Sequence, residues 1–179
     1  MTRGVTRRQL FRSLAGREVL RRPPGAVDEA LFMETCDGCG ECIVACAAET
    51  GVLKADRGGA PVVDFASGHC IFCGACVRAC GTGALTGAEG VETGEVSFAW
   101  HMEISQELCM EFSGVTCRLC ESACEERAIR FRPMAGHVTR AWIEAQECSG
   151  CGECLPRCPS RAISIVEEPR GGASRENAA

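Results

Sequence analysis

The chain predicts a small α+β unit used twice in tandem behind a basic N-terminal arm. Three observations carry that prediction. Sixteen cysteines fall into four runs of four, the runs repeat at one numerical offset, and arginine is concentrated in the first 25 of the 179 residues. Cysteine is about 9% of the sequence, a level that signals a structural class by itself. The longest uncharged apolar run, Ile43 to Ala48, is six residues, far short of the roughly 20 that cross a bilayer. A mild net charge of −5 and an apolar content of 46% exclude a mostly disordered chain.

The runs are Cys36, Cys39, Cys42, Cys46; Cys70, Cys73, Cys76, Cys80; Cys109, Cys117, Cys120, Cys124; and Cys148, Cys151, Cys154, Cys158. The first, second and fourth read C-x2-C-x2-C-x3-C, the spacing with which bacterial ferredoxins hold [4Fe–4S] clusters. The third stretches its first gap to seven residues. A cubane needs one thiolate per iron from converging directions. Three cysteines two residues apart wrap three corners, and the fourth ligates the neighbouring cluster in two-cluster proteins. The expectation is therefore four [4Fe–4S] clusters with all sixteen cysteines as ligands. Cross-ligation gives four sets: Cys36, Cys39, Cys42 and Cys80; Cys70, Cys73, Cys76 and Cys46; Cys109, Cys117, Cys120 and Cys158; Cys148, Cys151, Cys154 and Cys124. Zinc is the rival reading, but zinc sites usually split into distant halves, often with histidine. Here the runs are compact, and His69, His101 and His137 fit no ligand pattern. A disulfide framework would require an oxidising compartment.

An offset of 78 links Cys39 to Cys117, Cys42 to Cys120, Cys46 to Cys124, and all four cysteines of the second run to those of the fourth. Only Cys36 and Cys109 differ, at 73, because of a five-residue insertion. Phe65 and Ile143 share the register. An internal repeat of this kind is the mark of a duplicated unit. Gly81, Gly83, Gly87, Gly90 and Gly94 crowd the segment between the halves and read as a linker. The expected organisation is an arm at 1–29, modules at 30–83 and 102–168, a linker at 84–101 and a disordered tail at 169–179. Each module is of the bacterial 2[4Fe–4S] ferredoxin-like type.

Helices are expected at Glu41 to Ala48 and Glu121 to Arg127. Strands are expected at Val62 to Phe65, Ala128 to Phe131, Val138 to Ile143 and Ala162 to Val166, where β-branched residues collect. Modules this small bury little apolar surface, so bound metal is expected to supply much of the folding energy. Pro159, after the last cysteine, tightens a turn. The insertion Met110 to Thr116 has two open readings, a loop that leaves one cluster exposed and labile, or a harmless surface loop.

Residues 1–25 hold seven arginines and one acid, Glu18, for a charge of +6. The remainder is −11, and cluster-bound thiolates would make it more acidic still. A basic arm on an acidic body suits recognition of charged protein partners. Thr6 to Arg12 resembles a twin-arginine export motif, but Arg17, Glu18, Arg21 and Arg22 interrupt the apolar segment that such a signal needs. A short helix capped by Thr6 with Gln9, carrying Leu10, Phe11 and Leu14, fits better, and the arm has two open readings, a partner-docking helix or a solvated basic tail. The chain is therefore expected to stay in the cytoplasm, where thiols remain reduced. Nucleic acid is not an expected partner, since the acidic body repels phosphate.

Several further features make the chain similar to a known family. They are Arg7-Arg8, Arg22-Pro23-Pro24, Gly58-Gly59 before Pro61, Cys70-Ile71-Phe72-Cys73, Trp100, Ala128 to Pro133, Cys148-Ser149-Gly150-Cys151-Gly152 and the stretched third run. Over roughly residues 6–166 the chain resembles the NapF family, ferredoxin-type accessory proteins of bacterial periplasmic nitrate reductase systems. The resemblance implies a cytoplasmic protein with four [4Fe–4S] clusters. It also implies a partner, the cytoplasmic precursor of the nitrate reductase catalytic subunit, whose iron–sulfur centre the protein would help to mature before export. Two other functions stay open: a polyferredoxin electron carrier, which cysteine chemistry alone favours, and an interaction module in which clusters act as folding staples. An enzyme is not expected. No phosphate-binding glycine loop has the required frame, the histidines are scattered, and Trp100 and Trp142 read as packing residues.

Overall fold

A computed structural model describes residues 20–93, 98, 100–136 and 138–167. The capped helix expected at Thr6 and the tail at 169–179 lie outside them.

One pattern is drawn twice. In the first copy an entry segment at residues 21–27, turned at Pro24-Gly25, leads into α1 (Glu29–Thr35), capped by Asp28, whose carboxylate accepts the Leu31 N–H at 3.1 Å. Then follow α2 (Glu41–Ala47), the hairpin β1 (Leu53–Ala55) and β2 (Pro61–Val63), and α3 (Ala75–Arg78). Residues 84–86 return to the entry segment, with a bridge between Ala26 and Leu85. Helix α4 (Ala88–Glu92) follows. The second copy runs β3 (Trp100–Ile104), a 3-10 helix (Met110–Ser113), α5 (Leu119–Ala123), β4 (Ile129–Pro133), β5 (Thr139–Ile143), α6 (Cys154–Arg157) and β6 (Ile163–Glu167). The pairs β1–β2, β4–β5 and β3–β6 are antiparallel.

The offset of 78 governs the ladders as well as the cysteines. Leu53 pairs with Val63, and their counterparts Phe131 and Ala141 pair in turn. Ala26 bridges Leu85, and Ile104 pairs with Ile163. Short helices begin at a left-handed residue in both copies. Gly40 has φ 79° before α2, and its counterpart Arg118 has φ 47° before α5. For a side-chain-bearing residue that conformation costs about 1–2 kcal/mol, so the cysteine loop dictates it.

The segment expected as a linker is structured in its described parts. It contains α4, with Val91 fully buried, buried Phe98, and the start of β3. The entry segment, counted by charge with the arm, is packed onto the first copy. Arg22 is only 2% exposed. Its guanidinium meets Glu29 at 2.9 Å, Asp56 at 3.2 Å and the Pro61 carbonyl at 3.1 Å, and lies 4.5 Å above the Phe32 ring. One apolar core runs through both copies. Its junction is aromatic. Phe98 and Trp100 stack at 4.1 Å, and Phe65 meets both edge-on at 6.4 and 6.3 Å. Trp100 Nε1 donates to the Gly150 carbonyl at 3.1 Å, and the Cys70 amide donates to the Cys151 carbonyl at 2.9 Å.

Candidate metal centres

Each cysteine run is a tight loop that turns into a helix of one or two turns. Helix α2 packs on α3, and α5 on α6, so the end of one run faces the start of the other within each copy. Cys46, Cys70, Cys73 and Cys76 line one cavity, walled by Val52, Leu53, Val63, Phe72 and Phe98. Cys109, Cys117, Cys120 and Cys158 line another, walled by Ile104, Phe131, Ala162 and Ile163. In each cavity three cysteines come from one run and the fourth from its partner.

The remaining eight cysteines are related by charge. Burial, then Cys80, Cys36 and Cys39, push the Cys42 thiol up to about 11. Burial, then Cys151, Cys148, Cys120 and Cys124 in that order, push Cys154 up strongly, so Cys120 of the neighbouring cavity is felt there as well. Burial raises Cys70 and Cys76 to about 12 and Cys120 to about 11. Cys80 moves the other way. Burial opposes its ionisation, but the Thr82 hydroxyl and the amides of Leu85, Thr82 and Gly83 outweigh it.

Buried thiols that repel one another once ionised suit a cationic guest, whose binding must displace their protons. The donor set is all sulfur, as iron–sulfur ligation requires. Backbone amides also point at sulfur: Leu85 N–H at Cys80, 3.4 Å; Ala128 N–H at Cys124, 3.3 Å; Ala162 N–H at Cys158, 3.2 Å. A tetrahedral zinc would draw its sulfurs to about 2.3 Å from a single point, whereas a cubane takes one sulfur at each of four corners. His69 and His101 line neither cysteine cavity, and His137 lies outside the described residues.

The insertion holds a residue that sequence reasoning missed. Glu111, on the 3-10 helix, is 5% exposed. Its Oε1 accepts the Cys117 N–H at 2.8 Å and faces Arg118 Nε at 3.7 Å. Arg118 in turn lies 4.8 Å above the Phe131 ring. The only signal in the sequence is a single acid inside an otherwise uncharged insert.

The 4Fe-4S dicluster domain matches residues 35–84 and 115–170. The ferredoxin-type protein NapF of Escherichia coli strain K12 is 35% identical, over 80% of this chain and 82% of its own length. This chain belongs to the NapF family of ferredoxin-type proteins. NapF of Haemophilus influenzae is 33% identical, over 80% of this chain and 77% of that protein. The chain is also similar to a second group. The methylamine utilization ferredoxin-type protein MauM of Methylorubrum extorquens is 29% identical, over 88% of this chain and 78% of that protein. Among the described residues no helix is long and apolar enough to cross a membrane.

Proposed function

We propose that the sixteen cysteines hold four [4Fe–4S] clusters in the four cross-ligated sets, and that the loaded protein assists iron–sulfur assembly in a nitrate reductase catalytic subunit. The partner is that subunit's cytoplasmic precursor, met before export, and the protein itself acts in the cytoplasm without a catalytic centre of its own. The observation that carries the cluster reading is the pair of cavities, each lined by three cysteines of one run and the last of its partner run. The NapF relatives support the choice of partner.

The chain's own residues supply the frame. Cysteines on short loops converge on each cavity, and apolar walls such as Val52, Phe72 and Phe131 keep water from the metal. Amides aimed at Cys80, Cys124 and Cys158 stabilise thiolate charge. When bound, the clusters supply one-electron chemistry. The matches to methylamine utilization proteins favour a second reading, a polyferredoxin electron carrier, because the same scaffold serves a different system there.

Anaerobic titration of the loaded protein against precursor and mature catalytic subunit separates the two. Tighter binding of the precursor supports the maturation role. Equal binding, with electrons passing to the mature enzyme, sinks it and makes the protein a carrier. Deleting residues 1–19 tests the arm and leaves the Arg22 anchor in place.

A further inference from the structure

We propose that the hydroxyls of Thr82 and Ser160 raise the reduction potentials of the two outer cluster sites. The proposal rests on the four-cluster reading above. The inner sites are those containing Cys70 and Cys151, whose backbones are hydrogen-bonded across the junction of the two copies at 2.9 Å. The outer sites are closed by Cys80 and Cys158.

Thr82 and Ser160 are repeat counterparts, each two residues beyond the last cysteine of its copy. Thr82 Oγ1 lies 3.6 Å from Cys80 Sγ, and Ser160 Oγ lies 3.6 Å from Cys158 Sγ. An iron-bound sulfur is a thiolate with no proton to give, so the hydroxyl donates in both pairs. Thr82 Oγ1 also accepts the Ala84 N–H at 3.4 Å, which leaves its own hydrogen free to face the sulfur. The same two sulfurs accept amides from Leu85 and Ala162.

The inner sites are equipped differently. Cys46 has a hydroxyl neighbour, Thr50, at a longer 3.8 Å. Cys124 accepts the Ala128 amide at 3.3 Å, and the place equivalent to Ser160 is taken by Glu126, whose carboxylate cannot donate. The Ser149 hydroxyl reaches Cys151, so each inner site also has one hydroxyl near a sulfur. Reduction adds negative charge that spreads onto the sulfurs. Donors aimed at sulfur stabilise that charge and raise the potential, whereas burial penalises it.

The test uses full-length protein loaded anaerobically, with iron and sulfide analysed first. A chain that does not take up about 16 iron atoms, four per cluster, overturns the four-cluster reading and this proposal with it. Loaded wild type, Thr82→Val, Ser160→Ala and the double variant are then titrated potentiometrically and followed by electron paramagnetic resonance. The expected result is a negative shift of one component in each single variant and of two in the double, with the other components unmoved. Thr82→Ser restores the wild-type midpoint. Unmoved midpoints, or all components shifting together, overturn the proposal.

Discussion

The ring of Phe65 fills the space that a side chain at residue 152 would occupy. A Cβ built on Gly152 would lie 2.2 Å from that ring, and Gly152 also has φ 84°. One residue of the first copy is thus keyed into the cysteine loop of the second. Gly152→Ala is expected to cost about 1–3 kcal/mol from overpacking, with about 1–2 kcal/mol more from the left-handed backbone. Phe65→Ala is expected to cost about 3–5 kcal/mol. The double variant should be less destabilised than the sum, because the smaller side chain at 65 removes the clash. Denaturant midpoints of the four loaded proteins check this, and strict additivity would show that the two residues do not meet.

Arg22 anchors the entry segment through two carboxylates and the Phe32 ring. Arg22→Ala leaves the Asp56 carboxylate, 14% exposed, without its cation. The expected cost is about 3 kcal/mol, the low end for a broken buried pair because Glu29 is partly solvated. Lysine should rescue little, since it cannot form the fork or stack on the ring. Unfolding midpoints of the three loaded proteins decide the point.

The same pair sets a pH dependence. Burial pushes the Asp56 pKa up, but the amides of Gly58 and Ala60 and the Arg22 guanidinium outweigh it and hold it below 3.8. A depressed folded pKa contributes stability that is present above the unfolded value and lost as pH falls through the folded one. The stability gap between wild type and Asp56→Asn should therefore be full at neutral pH and start to close only below about 4. A gap that closes between pH 7 and 5 would assign the effect to another group.

Removing the metal should remove the fold. Helices α3 and α6 are four residues each, and isolated helices below about 12 residues are marginal in water. Their pairing with α2 and α5 is held across the cysteine cavities. Chelation under reducing conditions is expected to abolish most far-UV dichroism, and a native-like spectrum of iron-free protein would show that the apolar core suffices.

Cysteine spacing made the repeat legible, and the strand registers then followed it residue by residue. The helix expected at Glu121 to Arg127 lies at Leu119–Ala123 instead. Left-handed Arg118 starts it early, and extended Cys124 with left-handed Arg127 ends it. Helix propensity cannot anticipate backbone conformations that the cysteine loop imposes. Glycine density suggested a linker, but Gly87, with φ 74°, begins a helix there. Composition does not distinguish a flexible glycine from a left-handed helix start. Arg22 counts with its neighbours in the basic arm, because charge patterning does not reveal which arginine finds carboxylates 7 and 34 residues along the chain.

The insertion in the third run is pinned from inside. Glu111 is the acceptor for the Cys117 amide and the partner of Arg118, which covers the Phe131 wall of the cavity. Without it the amide beside a ligating position has no partner, at a cost of about 1–3 kcal/mol, and the loop between Cys109 and Cys117 loses its tether. Glu111→Ala is expected to speed the release of about one quarter of the iron to a chelator, one cluster in four, with the remainder leaving at the wild-type rate. Glu111→Gln keeps the acceptor and should lie close to wild type. The two-phase time course distinguishes this local effect from general unfolding. If all the iron leaves Glu111→Ala in a single faster phase, the residue supports the whole fold rather than one site.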